Sequence, residues 1–219
     1  LSASRALVVT TDMLVEGTHF IRDKVAPARL GRKSLAVSLS DIAAMGGRPR
    51  WAFVSLALTP GTSLEYMKAF YAGLRRLAEA YGVRLLGGDT TRSGAGMTVD
   101  VMVIGTAHPR RIKLRSGARA GDIAAVTDSL GDSAAGLRII LEDLPRDSDA
   151  RRLIGRHLTP APQLCPTRCG AMPPGGAGMH FGRPRRAARI TACSSRSKRT
   201  LTARSGELSK KGSAGRCRP

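Results

Sequence analysis

Three stretches of the sequence place an aspartate where it could bind a metal ion. Asp12 follows an apolar run, Asp41 lies among small residues, and Asp89 follows two glycines. Mg²⁺ prefers oxygen ligands, and a polyphosphate needs such cations to offset its charge. Each aspartate has a hydroxyl neighbour that suits this chemistry, namely Thr11, Ser40 and Thr90. If the three aspartates converge on one crevice, the sequence predicts a site for Mg²⁺ and a polyphosphate. Taken singly, each is also typical of a cap or a turn.

Glycine, arginine and histidine residues extend this set. Two glycines precede Asp89, and the missing Cβ lets a backbone approach a phosphate closely, which predicts a turn at 87–91. Arg115 could hold a phosphate with its bidentate fork, or it could be a solvated loop charge. His19 could hydrogen-bond a substrate, or it could end a loop by packing against Phe20. The residues alone leave both alternatives open for Arg115 and His19.

Alternating strand and helix patterns must position these side chains. Apolar and β-branched runs predict strands at 6–10, 51–58, 83–86, 97–106 and 123–126. Helical spacing of apolar residues predicts helices at 30–45, 62–81, 131–142 and 150–157. Val99, Val101 and Val103 alternate, so we expect them on one buried face of a strand. Thr62 and Glu65 have the spacing of a capping box, so we expect Thr62 to cap the second helix. The predicted fold class is α+β with α/β-type alternation.

The sequence changes character after residue 163. Residues 164–219 contain thirteen Lys or Arg and one acid, Glu207, and so hold +12 of the +20 net charge. All four cysteines lie in this tail, so nothing before it needs a disulfide, which fits a reducing compartment. Cys165 and Cys169 lack the second ligand pair of a zinc site. The tail shows no periodicity, and we expect it to be disordered. Its abrupt start resembles translation in a shifted frame.

Several of these motifs occur together in a fixed order. They resemble the thiamine-monophosphate kinases, a family of the aminoimidazole-ribonucleotide-synthase-like superfamily. The motifs that carry the resemblance lie at 10–20 (TTDMLVEGTHF), 36–46 (AVSLSDIAAMG), 87–91 (GGDTT), 127–137 and 156–162. Several motifs in register are far more specific than any one of them. The resemblance implies an N-terminal domain of this superfamily, a mixed sheet with flanking helices, at 1–110. It also implies the start of a truncated second domain at 111–163, followed by the unrelated tail at 164–219.

The resemblance also implies an activity and a set of site residues. The family transfers the γ-phosphoryl group of ATP to thiamine monophosphate with Mg²⁺, giving thiamine diphosphate. By motif, His19 would contact the thiamine substrate. The metal ligands would be Thr11, Asp12, Asp41 and Asp89, and the ATP contacts would be Gly88, Asp89 and Arg115. No covalent nucleophile is implied, because phosphoryl transfer depends mostly on positioning and charge neutralisation.

Expected partners and alternative functions follow from the same features. Family members form homodimers through the N-terminal domain, so the expected partners are ATP, thiamine monophosphate and a second copy. The family's Gly-Asp-Asp loop would precede Leu1, and its Asp-x-Ser-Asp-Gly motif does not follow Gln163, so we expect this chain to lack two walls of the site. The alternatives are another ATP-using enzyme of the superfamily and a nucleic-acid-binding protein that uses the basic tail. No apolar run is long enough to span a membrane, so a cytoplasmic location is predicted.

Overall fold

Four strands form one mixed sheet in the computed structural model, which describes residues 5–118, 120 and 129–164. The strands are β1 (Ala6–Val15), β2 (Arg48–Leu58), β3 (Arg84–Arg92) and β4 (Thr98–Ala107), in the spatial order β1-β4-β2-β3. β4 is antiparallel to both β1 and β2, whereas β2 and β3 are parallel. A parallel pair needs a crossover, and the helix between β2 and β3 supplies it. The predicted mixed sheet is therefore confirmed.

Two helices cover one face of this sheet. They are α1 (Pro27–Ala44) and α2 (Leu64–Ala80). α1 contacts β1, β2 and β4, and α2 packs along α1. The two helix backbones approach closely, because a Cβ at Gly31 would collide with the carbonyl of Phe70 and one at Gly73 with the carbonyl of Ala28. The two glycines therefore set the distance at which α2 lies over the sheet.

β4 lies inside the sheet and supplies the centre of the core. Val99, Val101 and Val103 are fully buried, as their alternation predicted. The opposite side of the sheet is exposed at β1, because every second side chain of this strand points away from the core. Here Leu7, Val9 and Met13 are exposed at 48%, 59% and 58%. We call the side of the sheet that carries these three residues the open face.

A second pair of helices follows the sheet. α3 (Asp132–Leu141) and α4 (Ser148–Leu158) pack against each other, and α4 contacts α1. Asp147 caps α4, because its carboxylate accepts the N–H of Ala150 at 2.7 Å. The Nζ of Lys24 donates to the carbonyl of Ile140 at 2.8 Å, at the carboxyl end of α3. A cation is favourable there because of the helix dipole.

The double-glycine segment belongs to a strand and not, as the sequence predicted, to a turn. Residues 84–92 pair in parallel with β2, with one interruption at Leu86. Ala52 pairs with Leu85 and Phe53 with Gly87, so Leu86 is an extra, bulged residue. The turn prediction is wrong because glycine pairs also occur in strands that bulge or that lie close to another backbone.

α2 begins one residue later than the capping-box pattern predicted. The Oγ of Ser63 accepts the N–H of Tyr66 at 3.1 Å, so Ser63 is the N-cap. The hydroxyl of Thr62 donates instead to the carbonyl of Thr59 at 2.9 Å. The prediction that Thr62 caps the helix is wrong, because the preceding turn already uses its side chain.

Other element boundaries differ modestly from the predictions. β1 continues beyond the predicted end at residue 10 to Val15, so it includes the first aspartate motif. The predicted strand at 123–126 lies outside the described residues, and so does the tail from 165 to 219. Within the described ranges, no helix is long and apolar enough to cross a membrane.

Candidate functional site

Asp12 and Asp41 come together at the junction of β1 and the last turn of α1. Thr10 and Asp12 are two residues apart in a strand, so both point to the side of the sheet that α1 covers. The Oγ1 of Thr10 donates to Oδ2 of Asp41 at 2.9 Å. The Asp41 charge in turn raises the pKa of Asp12, so the two carboxylates lie within electrostatic reach. The structure thus brings together two of the three aspartates that the sequence singled out.

One oxygen of the Asp12 carboxylate, Oδ2, is buried without a hydrogen-bond partner. The hydroxyl of Ser38, which lies beside it, donates to the carbonyl of Val101 at 2.8 Å. Burial raises the pKa of Asp12 most, and the charges of Asp41 and Asp100 raise it further. A cation would offset this repulsion and satisfy the orphaned oxygen. An all-oxygen donor set of this kind fits Mg²⁺.

Thr11 lies on the other side of β1, away from this pair. Its Oγ1 donates to Oδ1 of Asp100 at 2.6 Å. Sequence reasoning did not single out Asp100 or Thr10. Strand alternation contained the signal for both: Thr10 shares a face with Asp12, and Asp100 lies between the buried Val99 and Val101 and so faces the opposite side.

Asp89 lies on β3, at the opposite edge of the sheet from β1. It is in register with Ser55 of β2, which is in register with Asp100 of β4. Its Oδ1 accepts the N–H of the adjacent Thr90 at 2.8 Å. Within the described part of the chain, no three His, Cys, Asp or Glu side chains gather as a metal site. The expected convergence of all three aspartates therefore does not occur in a single chain, and the metal role of Asp89 stays a prediction.

Gly88 fills a position where no side chain fits. A Cβ on Gly88 would collide with the backbone carbonyl of Val54 on the neighbouring strand. The bulge at Leu86 precedes this contact, and the Leu86 side chain is 55% exposed. The glycine therefore has a packing reason within the sheet, whether or not a phosphate also approaches it.

A cavity of about 480 Å³ lies beside the free edge of β1. The segment that follows β4 forms its outer wall, and the N–H of Lys113 anchors this segment to the carbonyl of Met45 at 3.2 Å. Asp41 and Arg115 line the same cavity. The full lining is Leu7, Val8, Val9, Thr10, Asp41, Ile42, Ala44, Met45, Ile112, Lys113, Leu114 and Arg115. Two cations and one carboxylate on mostly apolar walls suit an anion that carries a bound metal ion and an apolar group.

His19 lies in the turn after β1. Its Nδ1 accepts the N–H of Val15 at 3.0 Å, so the proton of the neutral ring is on Nε2. The ring is exposed, and in its protonated form it lowers the pKa of Asp12, although less than burial and Asp41 raise it. His19 is thus placed to donate to a ligand that approaches the Asp12 end of the site.

The sheet, its two covering helices and this carboxylate pair correspond to a known domain. The family described as AIR synthase related protein, N-terminal domain, matches residues 1–107. Residues 1–107 carry this likeness. The matched region includes all four strands, both covering helices and every site residue discussed above except the four at 112–115.

The resemblance to thiamine-monophosphate kinases is also confirmed. The chain is 43% identical to the enzyme of Salmonella typhimurium over 162 residues, which cover 73% of this chain and 49% of the relative. It is 41% identical to the Bacillus subtilis enzyme over 160 residues, with 72% and 49% coverage. The chain thus spans about half the length of the curated relatives it matches.

Solved structures give the same assignment. AaThiL complexed with AMPPCP and TMP superimposes with a TM-score of 0.70 at 37% identity, covering 74% of this chain and 52% of that chain. The thiamine monophosphate kinase of Aquifex aeolicus has a TM-score of 0.67, also at 37% identity, with 72% and 53% coverage. The predicted fold of the AIR synthase related domain is confirmed by these likenesses.

Proposed function

We propose that the chain is the N-terminal part of a kinase that transfers the γ-phosphoryl group of ATP to thiamine monophosphate with Mg²⁺. One observation carries the proposal: Asp41 shares a cavity with Arg115 and is electrostatically coupled to Asp12, whose buried oxygen lacks a partner. These residues lie in the motifs that resemble the family. A relative of this fold holds AMPPCP, an ATP analogue, together with TMP.

Each residue has a defined part in the proposed reaction. Mg²⁺ would supply charge neutralisation on the transferring phosphoryl group. Asp12 and Asp41 would hold it, with Thr10 fixing the Asp41 carboxylate. Arg115 would contact ATP, which offers its planar fork a pair of phosphate oxygens. His19 would donate a hydrogen bond from Nε2 to the thiamine substrate. Positioning and charge offset then suffice without a covalent nucleophile.

Some members of the proposed site rest on the resemblance alone. Asp89 and Gly88 are assigned to the ATP phosphates, and Thr11 and Asp89 to the metal, because their motifs match those of the family. In a single chain Thr11 bonds Asp100 on the open face, and Asp89 lies at the far edge of the sheet.

We propose that a second copy covers the open face. Leu7, Val9 and Met13 expose three large apolar side chains on one face of edge strand β1, and such a patch is typical of an interface. Sedimentation velocity of the full chain tests this, with a dimer as the expected result. A Val9→Glu variant is expected to be monomeric, while Leu64→Glu, at an exposed position on α2, is expected to leave the dimer intact. A monomeric wild type contradicts the proposal.

We further propose the domain division and the location given by the sequence. The division is 1–110 for the N-terminal domain, 111–163 for the start of a second domain and 164–219 for a tail. Support comes from the family match, which ends at residue 107, and from the helical pair that follows. The absence of cysteine before residue 165 supports the cytoplasm.

Nucleotide binding by the full chain tests the proposed function most directly. A fluorescent ATP analogue is titrated with and without Mg²⁺, and the wild type is expected to bind only with the metal. Asp41→Asn is expected to gain no nucleotide binding when Mg²⁺ is added. Asp149→Asn, at an exposed position on α4, is expected to bind with Mg²⁺ as the wild type does. Formation of thiamine diphosphate from ATP and thiamine monophosphate is measured in parallel. Binding that ignores Mg²⁺, or no binding at all, would overturn the proposal.

A further inference from the structure

A chain of three polar side chains connects α1 to the α3–α4 pair, away from the candidate site. The Nζ of Lys33, on α1, lies 3.2 Å from Nε2 of His157, on α4. The Oγ of Ser133, in the first turn of α3, lies 3.1 Å from Nδ1 of the same ring. His157 is thus the only one of the three that touches both others, and it joins three helices through its two nitrogens.

The partners of His157 determine its tautomer. A Lys ammonium has donors and no acceptor, so Lys33 must donate and Nε2 of His157 must accept. The neutral ring then carries its proton on Nδ1, which donates to the Oγ of Ser133. This direction excludes a role for His157 as a base that activates Ser133, since a base would need a free lone pair on Nδ1. The cluster links helices and is not a nucleophile site.

The surroundings oppose a second positive charge at this point. Burial, and then the neighbouring Lys33 charge, lower the pKa of His157 to about 4. Burial also lowers the pKa of Lys33. The one carboxylate of α3, Asp132, already pairs with Arg152 at 3.0 Å and faces Arg156 at 3.9 Å. A protonated ring would therefore lie beside a Lys ammonium, while the carboxylate of α3 is already engaged by two arginines.

We infer that His157, neutral and protonated on Nδ1, is the link that docks the α3–α4 pair onto α1, and that acid releases this link. Protonation removes the acceptor for Lys33 and places two cations 3.2 Å apart. Like charges at this distance repel strongly when partly buried.

Three further hydrogen bonds tie the α3–α4 pair and the segment after it to the rest of the described chain. Arg32 donates to the carbonyl of Pro160 at 3.3 Å, and the hydroxyl of Tyr81 donates to the carbonyl of Pro162 at 2.9 Å. Lys24 donates to the end of α3. None of these three donors is a histidine, the residue type whose charge ordinarily changes in mild acid. Acid is therefore expected to loosen the α3–α4 pair locally before the sheet unfolds.

Histidine tautomers in the full chain give the first test. ¹⁵N-labelled protein is measured at neutral pH by long-range ¹H–¹⁵N correlation, and single His→Gln variants assign the signals. His157 is expected to be protonated on Nδ1. His108 is the internal control, because its Nδ1 accepts the N–H of Arg110 at 3.3 Å and its proton must lie on Nε2. An Nε2-protonated His157 overturns the inference. The tautomer is read from the wild-type chain at neutral pH, so the result does not depend on how a variant folds.

Titration of the same signals gives the second test. The His157 ring is expected to stay neutral through pH 5, while His108 serves as the exposed reference. Lys33→Met removes the neighbouring cation, so His157 is expected to protonate at a higher pH than in the wild type. Lys68→Met, at an exposed position on α2, is the matched control and leaves the titration unchanged. An unchanged His157 titration in Lys33→Met contradicts the link.

Hydrogen exchange distinguishes a releasing link from a passive one. Between pH 6.5 and pH 4.5, after correction for intrinsic exchange rates, amides of α3 and α4 are expected to lose at least tenfold in protection while those of β4 keep theirs. His157→Gln cannot titrate, so its α3–α4 protection is expected to be low at both pH values. Equal loss of protection in β4 and α3–α4 would mean global unfolding and would refute a local release.

Discussion

Thr10 and Asp41 are joined by a 2.9 Å hydrogen bond from Oγ1 to Oδ2 that spans 31 positions of sequence. The bond fixes the last turn of α1 to edge strand β1, and the carboxylate that it holds also lines the cavity with Arg115. One threonine therefore controls both the local packing and the aim of a candidate metal ligand.

Thr10→Val is expected to destabilise the fold by about 1–2 kcal/mol, because a bond to a charged acceptor is lost while the shape is kept. The midpoint of urea unfolding measures this at constant m-value. Mg²⁺-dependent nucleotide binding is expected to weaken in the same variant, since Asp41 is no longer held. Thr91→Val, at an exposed position on β3, is the matched control. Equal unfolding midpoints for Thr10→Val and the wild type would show that the bond contributes nothing.

Asp12→Asn is expected to stabilise the metal-free fold at neutral pH. The pKa of Asp12 is raised in the folded chain by burial and then by Asp41, so the folded state prefers the protonated carboxyl. The stabilising effect of that proton is fully present below the unfolded pKa of about 3.9 and is lost as pH rises through the folded pKa. Asparagine stays neutral, so the variant does not lose stability in this way as pH rises. Its advantage in stability over the wild type is therefore expected at pH 7 with EDTA and is expected to disappear in acid.

Mg²⁺ is expected to make the wild type more stable than Asp12→Asn, the reverse of their order without the metal. The ion stabilises the wild type, which offers it the orphaned Oδ2, and does little for Asp12→Asn. Thermal unfolding with EDTA and with Mg²⁺, at pH 7 and in acid, measures all four conditions. A wild type whose melting temperature ignores Mg²⁺ would show that this carboxylate binds no ion.

Arg115→Met is expected to weaken nucleotide binding roughly tenfold, because a charge-assisted contact to phosphate contributes on the order of 1.5 kcal/mol or more. Lys113 lines the same cavity, and Lys113→Met is expected to show a smaller effect because a single ammonium lacks the bidentate fork. Arg110→Met, an exposed change outside the cavity lining, is the control. Fluorescence titration at two salt concentrations measures the affinities and separates a specific contact from general attraction between charges, which salt screens. Identical affinities in Arg115→Met and Arg110→Met would remove Arg115 from the site.

Periodicity was sufficient to predict the four strands of the sheet, while the mixed sheet itself was implied by the family resemblance. Alternating valines placed β4 in the core, and the apolar spacing of residues 30–45 located α1 to within three residues at its start. Of the three aspartates expected to converge, Asp12 and Asp41 do so, because a strand and the helix that covers it bring their ends together. What the patterns left out was the alternation inside β1, which separates Thr10 from Thr11 and assigns the supporting hydroxyl to Thr10.

The position of Asp89 could not be predicted in this way. Local sequence at 87–91 favours a turn, and only pairing with β2, more than thirty residues earlier, makes it a strand. The order β1-β4-β2-β3 then places Asp89 at the far edge. Strand order depends on contacts between distant segments, and neither composition nor spacing records those contacts. The Lys33–His157 link was missed for the same reason, since its partners are 124 residues apart.

Gly88→Ala separates the packing role of the double glycine from any phosphate contact. The added methyl group would collide with the backbone carbonyl of Val54, which cannot move without disturbing the β2–β3 pairing. We expect a loss of stability of about 2–3 kcal/mol, in the range of overpacked core sites. Gly94→Ala is the matched control, because nothing lies within 4 Å of a Cβ at Gly94. Urea unfolding of both variants measures the difference. If Gly88→Ala unfolds like Gly94→Ala but loses nucleotide binding, the glycine is required for phosphate approach and the strand tolerates a side chain there. If it loses stability even without nucleotide, sheet packing alone accounts for the glycine.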